Sequence, residues 1–177
     1  MREPVPRYIL GTDAFVSCCM EPNSPPWKWV WTGNSHINAR GIVISTATVQ
    51  LVQHEVRALT ADPLQEERAL ALKHGLEVVL AIFRDKKCVL PIRDDIAAFA
   101  DQHLTQVISY LRPAGGIAQI GILEKIVIAT AIRGFNDQPI WLIDYDQPYA
   151  FPKLDSQFGL AHKTFPRPGA EISRALV

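Results

Sequence analysis

Short apolar runs alternate along this chain with longer stretches in which apolar residues recur every three to four positions, the pattern of strands joined by crossover helices. An apolar run at 7–10 ends at Gly11-Thr12-Asp13, where Thr12 or Asp13 is placed to cap a following helix. Gly41-Ile42-Val43-Ile44 is a β-branched run suited to a buried parallel strand, and Ser45 or Thr46 then starts a helix to about residue 59. From Pro63 to about residue 84, Leu64, Leu70, Leu72, Leu76, Val79, Leu80 and Phe83 keep helical spacing. A short extended segment at 88–92 follows, then a helix opened by Asp94 and Asp95 and running to about residue 110. Residues 113–116 read as a loop, 121–133 as a helix apolar on most sides and therefore buried, and 139–143 as a last buried strand.

Two stretches depart from the alternation. Residues 21–40 hold Pro22, Pro25 and Pro26, then Trp27, Trp29 and Trp31, and read as an irregular connection with one short helix. Residues 156–177 read as a weakly ordered tail, which leaves one domain over 1–155. The alternation as a whole predicts a three-layer α/β/α fold around a central, mostly parallel sheet, with the functional crevice beyond the carboxyl ends of the strands.

Composition narrows the function classes. Lysine plus arginine balance aspartate plus glutamate at 18 each, so no global positive field favours nucleic acid, and any such contact has to come from a local patch. Cys18, Cys19 and Cys88 have no zinc-knuckle or redox spacing and read as small buried hydrophobes. No apolar run has the length of a membrane span, and a cytoplasmic location is the simplest expectation. His36, His54, His74, His103 and His162 show no ligand-like spacing.

The acids at the expected strand ends carry the chemistry. Asp13 follows the first strand, Glu55 lies on the helix after the second, Glu124 opens the buried helix, and Asp144 and Asp146 follow the last strand. Converging carboxylates are what magnesium or manganese requires, since oxygen ligands hold the ion and the ion activates water for attack on phosphate. Singly, each acid is better explained as a solvated surface carboxylate, common near helix N-termini, than as a ligand. The tryptophans beside Lys28 could stack unpaired bases, but packing into an apolar cap or a protein contact is the better expectation.

In order and spacing these segments resemble the PIN-domain proteins, in particular the virulence-associated toxin ribonucleases of toxin-antitoxin systems. Tyr8-Ile9-Leu10-Gly11-Thr12-Asp13 is similar to that family's opening strand, hydrophobic-Leu-Asp-Thr-Asn. Ile44-Ser45-Thr46-Ala47-Thr48-Val49-Gln50-Leu51 resembles its strand followed by Ser-x-x-Thr and a Glu-Leu pair, and Leu123 to Ala131 resembles Asp-x-x-Ile-Ala-Ala-Thr-Ala. The closing Thr-x-Asn or Thr-x-Asp segment is here Ile143-Asp144-Tyr145-Asp146. Gly11 thus stands where the resemblance implies the first aspartate, Leu51 where it implies a glutamate, and Glu124 keeps the charge of the third.

The resemblance implies a catalytic set of Asp13, Glu55, Glu124 and Asp144, a metal set of Asp13, Glu124, Asp144 and Asp146 for magnesium or manganese, and nucleic-acid contacts from Thr12, Ser45 and Lys125. In that set Glu55, one helical turn after Leu51, would replace the missing glutamate. The function expected is a toxin-ribonuclease-type protein with weakened or lost RNA cleavage that retains nucleic-acid or partner binding. The alternatives are an active metal-dependent endoribonuclease using the rearranged carboxylates, and a protein-interaction module docking through its tryptophans. RNA, an antitoxin-like protein and a second copy of the chain are the partners implied.

Overall fold

The computed structural model describes residues 5–31, 37–109, 121–136, 138–147 and 150–167. Among these, five parallel strands form one sheet: β1 (Tyr8–Leu10), β2 (Ile42–Ser45), β3 (Val89–Leu90), β4 (Trp141–Tyr145) and β5 (His162–Phe165), in the order β3-β2-β1-β4-β5. The register sets Tyr8 beside Ile42 on one side and Trp141 on the other, and continues as Leu142 beside His162. The chain winds outwards from β1 to β3, returns, and winds outwards the other way through β4 and β5. The direction of winding therefore reverses between β1 and β4, which is where an open parallel sheet leaves a crevice.

The helices cover this sheet to give the three-layer α/β/α arrangement that the alternation of runs predicts. They are α1 (Thr12–Met20), α2 (Pro25–Trp31), α3 (Ile37–Arg40), α4 (Thr46–Thr60), α5 (Glu66–Asp85), α6 (Asp94–Phe99), α7 (Thr105–Ser109), α8 (Ile122–Arg133) and α9 (Phe151–Phe158). A single 3₁₀ turn over Pro63–Gln65, capped by the Asp62 carboxylate, leads into α5, and a π turn over Ala100–Leu104 joins α6 to α7. Ile9, Leu10, Ile42, Ile44, Leu142 and Ile143 are fully buried along the strands, and Phe15 of α1 meets Phe83 of α5 edge to face at 6.0 Å. Burying side chains of this size stabilises the fold by roughly 1.5–3 kcal/mol each, before the entropy lost on ordering them.

Two expectations need correction. The first is the domain boundary: residues 151–158 form α9 and residues 162–165 form β5, paired along its whole length with β4, so the sheet runs past residue 155 and ordered structure stands over the described part, 156–167, of the expected tail. The strand was hidden because His162-Lys163-Thr164-Phe165 lies at the sheet edge, where only one side is paired and no continuous apolar run is required. Secondly, residues 21–40 contain two helices among their described residues, since Pro25 and Pro26 occupy the first turn of α2, where a missing N–H costs nothing. Trp29 and Trp31 pack against the core, as expected. Trp29 meets Tyr8 edge to face at 5.3 Å and carries the Arg40 guanidinium over its ring at 4.8 Å, while Trp31 meets Phe83 at 6.3 Å. The loop read at 113–116 lies outside the described residues.

Candidate functional site

At the crevice between β1 and β4 lies a cleft of about 140 Å³. Gly11, Thr12 and Asp13 line it from the start of α1, Glu124, Val127 and Ile128 from α8, and Leu142 and Asp144 from β4. Gln147, Ala150, Phe151 and Leu154 close it from the far side. The cleft therefore has an apolar floor and three acids, Asp13, Glu124 and Asp144, carried by three different elements.

Each of these acids is engaged by the chain itself. Oδ1 of Asp144 accepts hydrogen bonds from the backbone N–H groups of Ala14 and of Tyr145, both at 2.9 Å. Its carboxyl is nonetheless pushed up to about 7, first by burial and then by repulsion from Asp13; the two N–H donors and Arg167 pull the other way without offsetting the shift. Glu124 is also raised, by burial and then by Asp13, against a hydrogen bond from the Gly121 backbone N–H. That bond is the reaching-back half of a capping box, with Gly121 as N-cap and Glu124 three residues on. Asp13 is held by Arg167, whose Nη2 lies 3.0 Å from Asp13 Oδ2 while its Nε donates to the Asp146 carbonyl at 3.0 Å. The guanidinium thus bridges the start of α1 and the end of β4.

The other acids expected here lie elsewhere. Glu55 is exposed on α4 and does not line the cleft, and Leu51 one turn before it packs against the core. Being one turn apart puts two residues on the same helical stripe, but a half-buried Leu51 and an exposed Glu55 show that the stripe rolls out of the core within that turn. Asp146 meets Arg167 through its backbone carbonyl, and its side chain is absent from the cleft lining.

Two of the three residues expected to touch nucleic acid have other work. Ser45 is buried and caps α4, accepting from the Ala47 N–H at 3.1 Å. Lys125 reaches Thr105 Oγ1 at 3.3 Å, across to α7, one position round the helix from Glu124 and away from the cleft. Only Thr12 lines the site as expected, although the N-cap of α1 is Gly11, which has no side chain to cap with. Thr48, also in the second motif, is fully buried with no hydrogen-bond partner for its hydroxyl, and it does not line the cleft.

Sequence reasoning missed Arg167, Gln147 and Phe151. Arg167 fell in the segment read as a tail, and only the edge strand β5 carries it back to α1, so no local signal pointed to it.

Magnesium or manganese demands several carboxylate oxygens converging at roughly 2 Å. Among the described residues no three of His, Cys, Asp and Glu come together to hold an ion. With Asp13 paired to Arg167 and no such cluster present among the described residues, the donor set does not fit the ion as it stands. Burial pushes the thiols of Cys18 and Cys19 up to about 12 and that of Cys88 up to about 11, so all three are held as the weakly nucleophilic thiol near neutral pH. Among the described residues no helix is long and apolar enough to cross a membrane.

No family model and no curated protein matches the chain. Solved structures similar to it include the following two. One is FitAB bound to an IR36 DNA fragment, at 18% identity and TM-score 0.52, covering 89% of this chain and 94% of that one. The other is VapBC2 from Rickettsia felis bound to a DNA fragment from its promoter, at 14% identity and TM-score 0.53, covering 89% of this chain and 98% of that one. At such identities what is shared is the fold: nearly the whole of this chain follows a PIN-like three-layer architecture.

Proposed function

With a PIN-like fold as the premise, we propose that this chain is a protein of the toxin-ribonuclease type in which metal-dependent RNA cleavage is weakened or lost, and that it acts by binding a nucleic acid or a protein partner. One observation carries the reading. Each of the three cleft acids is already engaged from within the chain: Asp13 by Arg167, Glu124 by the Gly121 N–H, and Asp144 by the Ala14 and Tyr145 N–H groups. A carboxylate paired with a guanidinium or with main-chain N–H groups has fewer free lone pairs and less uncompensated charge to offer a divalent ion. Here one guanidinium and several N–H donors offset part of the acids' charge, and the raised affinity of Asp144 and Glu124 for protons is what remains uncompensated.

The two structural neighbours, FitAB and VapBC2, are PIN-domain toxin-antitoxin complexes solved on DNA. By that likeness the proposed partner is an antitoxin-like protein, with a second copy of this chain as a further one. A formal net charge of zero and an acidic cleft give this chain little attraction for phosphate, so any affinity for DNA in such an assembly would come through the partner. RNA remains the ligand of the ribonuclease reading.

The test is a manganese titration by calorimetry on the purified chain and on Glu124→Ala. The expected result is no binding in either protein at millimolar metal. Binding in the unaltered chain that vanishes in Glu124→Ala would overturn the proposal in favour of an active endoribonuclease built on Asp13, Glu124 and Asp144.

A further inference from the structure

The glycine at the end of β1 has no backbone reason to be there. Gly11 lies at φ −69° and ψ 167°, extended conformation open to any residue, and it occupies the N-cap of α1, a position at which aspartate is among the preferred residues and glycine is not the first choice. What excludes a side chain is Asp144. A Cβ on residue 11 would stand 2.0 Å from Asp144 Oδ2, 2.3 Å from its Cγ and 2.7 Å from its Cβ, distances at which one of the two side chains has to move.

Asp144 also performs the task that an N-cap carboxylate on residue 11 would perform. An N-cap side chain accepts from the backbone N–H two or three residues on, and three residues after Gly11 is Ala14, whose N–H is the one that Asp144 Oδ1 accepts at 2.9 Å. We infer that Gly11 and Asp144 are an exchanged pair, in which β4 delivers through Asp144 the carboxylate that the end of β1 does not carry, capping α1 from across the sheet and placing the acid in the same cleft.

The sequence resemblance implies an aspartate at residue 11, where this chain carries glycine. Restoring aspartate at residue 11 alone therefore rebuilds no site. It drives two carboxylates into one space, with steric overlap and like-charge repulsion adding. The inference deepens the proposal above, on which its bearing on function rests. Its test reads stability in the presence of a chelator, so that its failure and the failure of that proposal stay distinct.

The experiment is a double-mutant cycle on the full chain, followed by thermal unfolding. Gly11→Asp alone should lower Tm by about 5 °C or more, as overpacking at a buried contact does. Asp144→Gly should lower it by a similar amount, through the lost cap and a glycine in a strand. The double variant Gly11→Asp with Asp144→Gly, a literal exchange, should return to within about 3 °C of the original, because the new N-cap recovers the Ala14 N–H.

Should Gly11→Asp fail to fold, the same cycle is read with Gly11→Ala. Its penalty should disappear in the Asp144→Gly background and persist in Asp144→Asn, which keeps the shape of the original side chain. A double variant that loses the sum of the two single losses, in either cycle, would overturn the exchange.

Discussion

Asp144 carries a charge in an unfavourable place. It is buried, it faces Asp13, and its affinity for protons is raised so far that the carboxyl titrates near neutrality, at about 7. The sign of the consequence follows from linkage. The folded state holds this proton more tightly than the unfolded chain does, so the stabilisation from Asp144 is complete below its ordinary value near 3.8 and is lost as pH rises through about 7. Asparagine keeps the shape and can accept the same two N–H bonds without the charge. Asp144→Asn should therefore be close to neutral in stability at pH 4 and stabilising at pH 8, by up to a few kcal/mol. Urea unfolding at the two pH values checks this, and an equal effect at both would contradict the assignment.

The Asp13–Arg167 pair belongs to a different class, since the two side chains are 47% and 43% exposed. Water and salt screen such a contact, and its own contribution to stability is about 1 kcal/mol at most. Its significance is charge neutralisation at the mouth of the cleft. At this scale the sequence showed which acids were candidates but not which would meet: Asp13, Glu124 and Asp144 converge, while Glu55 and Asp146 do not. The difference lies in the roll of α4 relative to the core and in the turn of the backbone after β4, neither of which is written in local spacing.

At the scale of elements, strong periodicity was legible and edges were not. The strands at residues 42–45 and 141–145 and the helices at 46–60, 66–85 and 122–133 follow from buried β-branched runs and helical apolar spacing. The edge strand β5 escaped because its pattern has no buried face on both sides, and α9 with it.

Packing between elements makes a further prediction. Gly75 in the middle of α5 lies where a Cβ would stand 2.0 Å from the carbonyl oxygen of Cys19, so α1 and α5 approach each other backbone to backbone. Alanine is the better helix former by about 1 kcal/mol, yet the close approach wins, because neither a carbonyl on a helix nor the α5 backbone can move away freely. Gly75→Ala should destabilise the chain by about 2 kcal/mol in chemical unfolding. A stabilised variant would show that the two helices have room to separate.

Over the whole molecule, topology concentrates the chemistry. The strand order β3-β2-β1-β4-β5 reverses its winding between β1 and β4, and the cleft opens at that point, beyond the carboxyl end of β1. The location of the site was therefore legible from the alternation of strands and helices, and the PIN-like architecture agrees with the resemblance read from the motifs. The chemical state of the site was not legible. It depends on Arg167 and on the Gly11–Asp144 contact, which join segments separated by 154 residues in one case and brought together only by the parallel pairing of β1 with β4 in the other.

The proposed reading of the cleft, with its acids engaged from within the chain, makes the fold independent of a divalent ion. A bound ion stabilises the folded state by mass action, by about 2.7 kcal/mol when it is present at a hundred times its dissociation constant, which for a chain of this size raises Tm by roughly 5–10 °C. The most direct measurement is the thermal unfolding of the unaltered chain at pH 8, first in chelator and then in millimolar manganese. The account predicts the same Tm within about 1 °C in both. A rise of about 5 °C or more in manganese would contradict it and would make the cleft a metal site.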